Sequence, residues 1–374
     1  MGPHPVAMRR IVLPSDPYQA RFVNRTCVFL MPDPWTVAAW SFDGLEQWRQ
    51  EAPVSSGASR PRLRLDDRGE AWVSSGHLLF RPTSDEAIDA GASILEFTCT
   101  HDGFLLALEA EPLSIARILR GGDVVWRADL APPDEIEYVG IIQWEASTGF
   151  QPRRKPSWHP RTWDMRFVRD PMVVGARLAV VGAGDSSGLS CRYALTLDTG
   201  QVIWRTEPGP WSQVTSIGND WFLGQQGYGA FELGRVFEDG TVVDKWPVDG
   251  YVTSLPSGAI HVIELENMLP SQMHASALMQ GGVVNRGPHL DGYYTSRPAL
   301  TVDGDLIFWR NDELQLLDAG LRRRKLARVP SQEGTAFPSD MHLDGIGTLA
   351  FTLGNGLWTM ESRFRPFSDE DESR

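Results

Sequence analysis

The chain is poor in lysine and cysteine and has no long apolar run. Only three lysines occur, Lys155, Lys245 and Lys325, in 374 residues whose 35 basic side chains face 48 acidic ones. The other basic residues are arginine, which reads as coding bias before it reads as function. A formal net charge of −13 excludes nucleic acid and anionic membrane surfaces as general partners. Cys27, Cys99 and Cys191 are odd in number and far apart. They supply neither a disulfide framework nor a metal-ligand spacing. Each lies in or beside an apolar strand, so buried free thiols are expected. No stretch is long enough to span a bilayer. The first ten residues lack the apolar run of a secretion signal, so a cytoplasmic location is the expectation. Nothing in the sequence speaks to oligomeric state.

What is present is a repeat. Its clearest copy runs Ala194-Leu-Thr-Leu-Asp198-Thr199-Gly200-Gln-Val-Ile-Trp204. Apolar and polar residues alternate over Tyr193–Asp198, the period of a strand with one face buried deeper than the other. Thr199-Gly200 predicts a turn with positive φ at the glycine, and Val202-Ile203-Trp204 a returning strand. Weaker copies have their turn glycines at 44, 122, 240, 282 and 320; with Gly200 the spacings are 78, 78, 40, 42 and 38 residues. The value 78 is twice 39, so one period of about 40 residues runs along the chain.

That period, with four short strands per unit, predicts an all-β chain: a β-propeller of four-stranded blades. A single sheet of this length cannot bury both faces, whereas a ring of sheets packed face to face buries them all. Trp48, Trp126 and Trp204 each follow their glycine by four residues. Equal spacing assigns each ring to the gap between neighbouring blades rather than to a stacked ligand.

Units are expected at 20–52, 61–90, 92–130, 165–207, 211–248, 251–287, 296–329 and 337–363. This gives eight blades if 145–164 is an insertion, nine if that region hides a degraded blade, and seven if 61–90 is not independent; eight are expected. In the second unit the last strand is missing or replaced by a helical-looking Ser84–Ala90. The final unit lacks an outer strand, and Ile11–Leu13 would supply it, tying the termini together and leaving no blade edge free. Residues 1–366 then form a single domain, and 367–374 a disordered acidic tail.

Thr-Gly-x-x-x-Trp after an apolar strand resembles the tryptophan-docking repeat of the quinoprotein-like (PQQ-repeat, BamB-like) β-propeller superfamily. The match is good at 192–206 and partial at 42–48, 120–126 and 237–246. The resemblance implies the architecture and none of the chemistry. The dehydrogenases of that superfamily hold their quinone beneath two adjacent cysteines, and no two are adjacent here, so no cofactor is expected. Cys27 also lacks the lipoprotein context of the membrane-anchored scaffold.

Candidate sites are few. Gln151–Trp163 contains Arg153, Arg154, Lys155 and Arg161, with Trp158, Trp163 and His159, in an otherwise acidic chain. Prolines keep such a segment extended. Arginine pairing and ring stacking suit an acidic peptide, a protein partner, or an anionic or aromatic small molecule. The bland reading is a surface loop whose tryptophans pack on the scaffold. His289-Leu-Asp291-Gly-Tyr293 pairs imidazole, carboxylate and phenol where two blades are expected to join. His101-Asp102 makes a weaker pair, and His274 and His342 sit at expected turns or strand starts. Ile263–His274 reads as a long connection rich in methionine. Gly182-Ala-Gly184-Asp-Ser-Ser-Gly188 imitates a dinucleotide fingerprint, but that motif must open a helix, and here a repeat strand follows. No metal-ligand spacing appears.

Two functions remain. One is a non-catalytic scaffold that presents its loop face to a protein or peptide. The other is a cofactor-independent lyase, cyclase or hydrolase with His159, His289, Asp291 and Tyr293 as acid and base candidates and Arg153, Arg154, Trp158, Arg161 and Trp163 as ligand contacts.

Overall fold

A computed structural model describes residues 8–53, 60–110, 113–130, 143–145, 149–151, 167–174, 178–184, 190–205, 211–217, 220–227, 230–236, 242–246, 250–254, 260–265, 272–278, 284–291, 299–310, 313–318, 320, 322–329, 341–362 and 364. For 143–190, 211–291 and Arg310 the description is of the backbone. Among the described residues there is no helix, and hence none long and apolar enough to cross a membrane. The chain divides into two compact units, 1–87 with 250–374, and 88–249.

Among the described residues the strands form eight four-stranded sheets and one hairpin. Sheet one is Gln19–Val23, Thr26–Met31, Thr36–Ser41 and Glu46–Glu51. Sheet two is Arg62–Leu65, Ala71–Ser75, Leu78–Phe80 and Ala87–Asp89. Sheet three is Ile94–Cys99, Gly103–Leu108, Ser114–Leu119 and Val124–Asp129. Sheet four is Phe167–Val174, Leu178–Gly184, Ser190–Thr196 and Val202–Arg205. Sheet five is Trp211–Ile217, Asp220–Gly227, Ala230–Val236 and Val242–Trp246. Sheet six is Gly250–Ser254, Ile260–Leu265, Gln272–Leu278 and Val284–Asp291. Sheet seven is Ala299–Leu300, Leu306–Arg310, Glu313–Leu317 and Arg323–Arg328. Sheet eight is His342–Leu343, Thr348–Leu353 and Gly356–Glu361, with Met8–Val12 as its fourth strand. Met8–Val12 runs antiparallel to Gly356–Glu361, placing Ile11 opposite Leu357.

In the unit formed by 1–87 and 250–374, strand alternation builds three successive cores. Cys27, Phe29 and Met31 bury against Ala350 and Leu357 of sheet eight. The alternate residues Val28 and Leu30 bury against Leu63, Ala71 and Val73 of sheet two. Likewise Leu349, Phe351 and Leu353 of sheet eight pack with Ile307, Leu314 and Leu316 of sheet seven. A period of two thus sends one strand's side chains into two cores, as face-to-face stacking requires. Each fully buried Phe or Leu is worth roughly 1.5–3 kcal/mol over its exposed state. In the unit 88–249 one such core joins sheets three and four through Leu105, Ile115, Tyr193 and Leu195.

The position of a strand in its sheet sets its composition. Gly103–Leu108 and Thr348–Leu353, second in their sheets, are buried throughout; the first is a continuous apolar run, and the second buries Thr348 and Thr352 among its apolar residues. The fourth strands Glu46–Glu51 and Arg323–Arg328 are largely exposed and rich in charge, which discourages further pairing at the edge. In sheets one, three, four and five the fourth strand carries an extra residue in its second position: Gln47, Val125, Ile203 and Val243. Such bulges bend an edge and increase its twist.

The turn glycines Gly44, Gly122 and Gly200 have φ of 86°, 91° and 70°, as the repeat predicts. Gly320 needs no positive φ, because Asp318 Oδ1 accepts the backbone N–H groups of Gly320 and Arg322 and closes that turn instead. A second repeated turn is present that the tryptophan markers do not reveal. Asp66, Thr301 and Asp344 each accept, through their carbonyl, the N–H of a glycine three residues on. Their side chains take further N–H groups from the same turns.

Three expectations need correction. Ser84–Ala90 is not helical; Ala87–Asp89 is the fourth strand of sheet two, with Ile88 buried between exposed neighbours, and Arg81 ties the preceding turn by ion pairs to Glu70 and Glu86. Ile263–His274 is not all connection: Ile263–Leu265 and Gln272–His274 belong to two paired strands, and 266–271 lie outside the described residues. The unit expected to end at 287 continues to Asp291, so His289 and Asp291 stand in a strand rather than in a joint. Within 131–164, Gln143–Glu145 pairs with Gly149–Gln151 as a hairpin; the rest lies outside the described residues, as does the tail 367–374.

Candidate functional site

Of the expected site residues, Arg153, Arg154, Trp158, His159, Arg161, Trp163 and Tyr293 lie outside the described residues. His289 and Asp291 are placed by their backbone alone, two residues apart on the outer strand of sheet six. The register adds partners that spacing along the chain does not show. His274 is directly opposite His289, Gln272 is opposite Asp291, and Glu264 is opposite His274 on its other side. Glu264, His274 and His289 therefore form one row across three adjacent strands, with Asp291 and Gln272 next on the same face. Strand pairing created this row, and single-strand periodicity carries no signal for it.

The remaining ionisable candidates have structural work. Asp102 accepts from Thr100 Oγ1 at 3.0 Å and from Arg117 Nη2 at 2.6 Å. Burial pushes its carboxyl up, but the Thr100 hydroxyl and Arg117 outweigh that and leave it below the usual carboxylate range. Arg117 also donates to the Leu197 carbonyl at 3.0 Å and pairs with Asp198. His342 lies parallel to Phe22 at 5.4 Å, with Phe42 at its edge. Burial lowers its pKa, against the Asn24 carbonyl and Asp344, which act to raise it. Asp344 is buried in its turn, 3.6 Å from Arg25 Nη1. Among the described residues no group of three or more His, Cys, Asp or Glu side chains is arranged to hold a metal.

The tryptophan reading is testable at Trp126, which is 8% exposed. Its indole N–H donates to the Leu197 carbonyl at 2.7 Å, and a Cβ added at Gly200 would come within 2.5 Å of its ring. The ring of sheet three is thus seated on the Thr199-Gly200 turn of sheet four. Trp48 packs against the core between sheets one and two. Tyr193 is held in the same core as Trp126; burial first, then the neighbouring Cys191, push its phenol up to about 12. Cys27 and Cys191 are buried and in no disulfide, whereas Cys99 is only half-buried. The glycines 182 and 184 belong to a strand paired with Ser190–Thr196, so no helix N-terminus stands behind them to receive a pyrophosphate.

The described architecture is all-β and propeller-like, built of repeated four-stranded antiparallel sheets. Neither a protein-family model nor a curated protein matches the sequence. Solved structures do match. BamB from Moraxella catarrhalis superposes with a TM-score of 0.59 at 13% identity, over 97% of this chain and 100% of that one. The Dos1 propeller gives 0.60 at 9% identity, over 97% of each chain. The WD40 domain of SCAP from fission yeast gives 0.55 at 9% identity, over 95% of this chain and 98% of that one. At such identities the likeness is one of fold, shared with both the BamB and the WD40 propellers.

Proposed function

We propose that the chain is a binding scaffold: one eight-bladed propeller spanning 1–366, closed by the pairing of Met8–Val12 with the last sheet, that presents its loop face to a protein or peptide partner. The observation that carries this reading is a contrast in how charge is used. In the sheets, Asp102, Arg117, Asp344 and Arg81 are consumed in turns and ion pairs. Residues 151–163 interrupt the repeat between sheets three and four and carry Arg153, Arg154, Lys155 and Arg161 in a chain of net charge −13. Loops on a rigid scaffold are the usual seat of binding, and this one suits acidic segments of a partner. The test replaces 145–164 with a short Gly-Ser linker and compares capture of partners from host extract. Partners held by the parent chain and lost with the loop support the reading; capture unchanged by the replacement contradicts it.

One observation favours a second reading, an enzyme acting on a small molecule or modified peptide. It is the placement of His289 and Asp291 on one face beside His274, groups able to share acid and base roles. Turnover abolished by His289→Gln would move the weight to that reading.

A further inference from the structure

The outer strands of the sheets differ in charge. Glu46–Glu51 of sheet one and Val124–Asp129 of sheet three carry one arginine each, beside carboxylates or valines. Arg323–Arg328 of sheet seven carries Arg323, Arg324, Lys325 and Arg328, and Arg322 stands in the turn before it. No other stretch of this chain, whose net charge is −13, has four cations in a row. Two carboxylates of the same sheet take up part of that charge. Asp318 pairs with Arg322 at 3.0 Å, and Glu313 pairs with Lys325. Arg328 stands opposite Glu313 in the register. Arg323 and Arg324 are exposed, and among the described residues their side chains make neither a hydrogen bond nor an ion pair.

The strand holds these cations in a fixed array. It is paired along Glu313–Leu317, and Leu326 and Ala327 pack against the core of sheets seven and eight. Side chains alternate across a strand, so Arg323 and Lys325 lie on one face and Arg324 on the other. Same-face positions are about 6.6–6.8 Å apart. The strand is last in its sheet, so among the described residues its outer edge has no neighbour. Like charge keeps a second copy of this edge away and leaves a surface that accepts the opposite charge.

We infer that the outer strand of sheet seven is a docking surface for an acidic, extended segment of a protein partner. Successive carboxylates of such a segment alternate at the same spacing as the cations, and each guanidinium can take a carboxylate through two N–H groups. The pairing shifts at Leu326, so the regular edge is only Arg323–Lys325. Side chains rather than a long backbone ladder therefore carry the recognition. Nucleic acid fits less well. No aromatic residue interleaves the cations of 322–328 to stack a base, and the charge of the whole chain repels a polyanion. The surface adds to the scaffold reading but uses no residue of 145–164, so each can fail alone.

The experiment titrates the full chain into a fluorescein-labelled oligoglutamate peptide, which its own charge keeps extended, and reads anisotropy. The same measurement is made on an oligoglutamine peptide and on a labelled oligothymidylate. The expected result is binding of oligoglutamate at low salt that weakens as salt rises, and none of oligoglutamine. Arg323→Gln combined with Arg324→Gln weakens binding by about tenfold, the worth of two exposed ion pairs. Both side chains are exposed, so the variant keeps its fold, as circular dichroism would show. Arg49→Gln, at an ion-paired cation on the outer strand of sheet one, leaves binding unchanged, as does the Gly-Ser replacement of 145–164. A parent chain that does not bind oligoglutamate overturns the surface, and so does binding unaffected by the double variant. Binding lost with 145–164 instead also overturns it, while supporting the loop as the seat of recognition. Tighter binding of oligothymidylate than of oligoglutamate would assign the strand to nucleic acid and overturn the proposal.

Discussion

The junction between sheets three and four and the junction between sheets eight and one do the same job with different chemistry. In the first, Trp126 lies on the Gly200 turn and donates to the Leu197 carbonyl. That contact is apolar apart from one hydrogen bond, and its fit depends on the absence of a side chain at Gly200. In the second, no repeat tryptophan is used. His342 stacks on Phe22, and Arg25 reaches both Thr348 and Asp344 of the neighbouring sheet. The tryptophan contact of the first junction therefore holds no titrating group and is intolerant of volume; the second contains a group that titrates. Between sheets three and four the repeat residues mark the place where neighbouring sheets meet through one ring on one turn. Where the marker is lacking, aromatic, imidazole and ionic contacts fill the same gap.

The largest effect is expected from Trp126→Ala, which removes a buried ring and its hydrogen bond and should cost about 3–5 kcal/mol in urea denaturation. A cost below about 1 kcal/mol would show that the ring is not sealing the junction. Gly200→Ala comes next, at about 2–4 kcal/mol, because the new Cβ meets the Trp126 ring and an L-residue must adopt the left-handed region. At the other junction, burial lowers the proton affinity of His342 below its ordinary value of 6.5. The unfolded chain then binds the proton more readily than the folded one. The contribution is present above about pH 6.5 and is lost as pH falls through the lowered folded value. His342→Phe should flatten the stability curve between about pH 8 and pH 5, while Trp126→Phe should leave its slope unchanged. The smallest effect is expected at the exposed outer-strand residues Val124 and Ile203, 60% and 43% exposed. Replacing either with Thr should change stability by no more than about 0.5 kcal/mol.

Gly44, Gly122 and Gly200, the tryptophans four residues after them, and the positions of the eight sheets were legible because each depends on short-range pattern; Gly240 and Gly282 lie outside the described residues. Sheet two was harder. Its fourth strand has one buried residue, Ile88, so alternation over three residues gives almost no signal. His289 and Asp291 stand in a strand rather than a joint because an edge strand with a bulge accommodates Pro288. The partners His274 and Glu264 were illegible for a deeper reason. Register is set by how strands pair, and a row across three strands leaves no spacing in the chain. The Asp66 and Asp344 turns were also missed, since a short polar turn has the same composition whether its carboxylate is buried or solvated.

The most direct measurement is a double-mutant cycle between Trp126→Ala and Gly200→Ala, read by urea denaturation with circular dichroism. If Trp126 is seated on the Gly200 turn, the added Cβ is costly only while the ring is present. The two changes then cost less together than the sum of each alone, with a coupling of about 1–3 kcal/mol. Costs that add within about 0.5 kcal/mol would mean that the two residues do not meet, and the tryptophan-on-turn account of this repeat would be wrong.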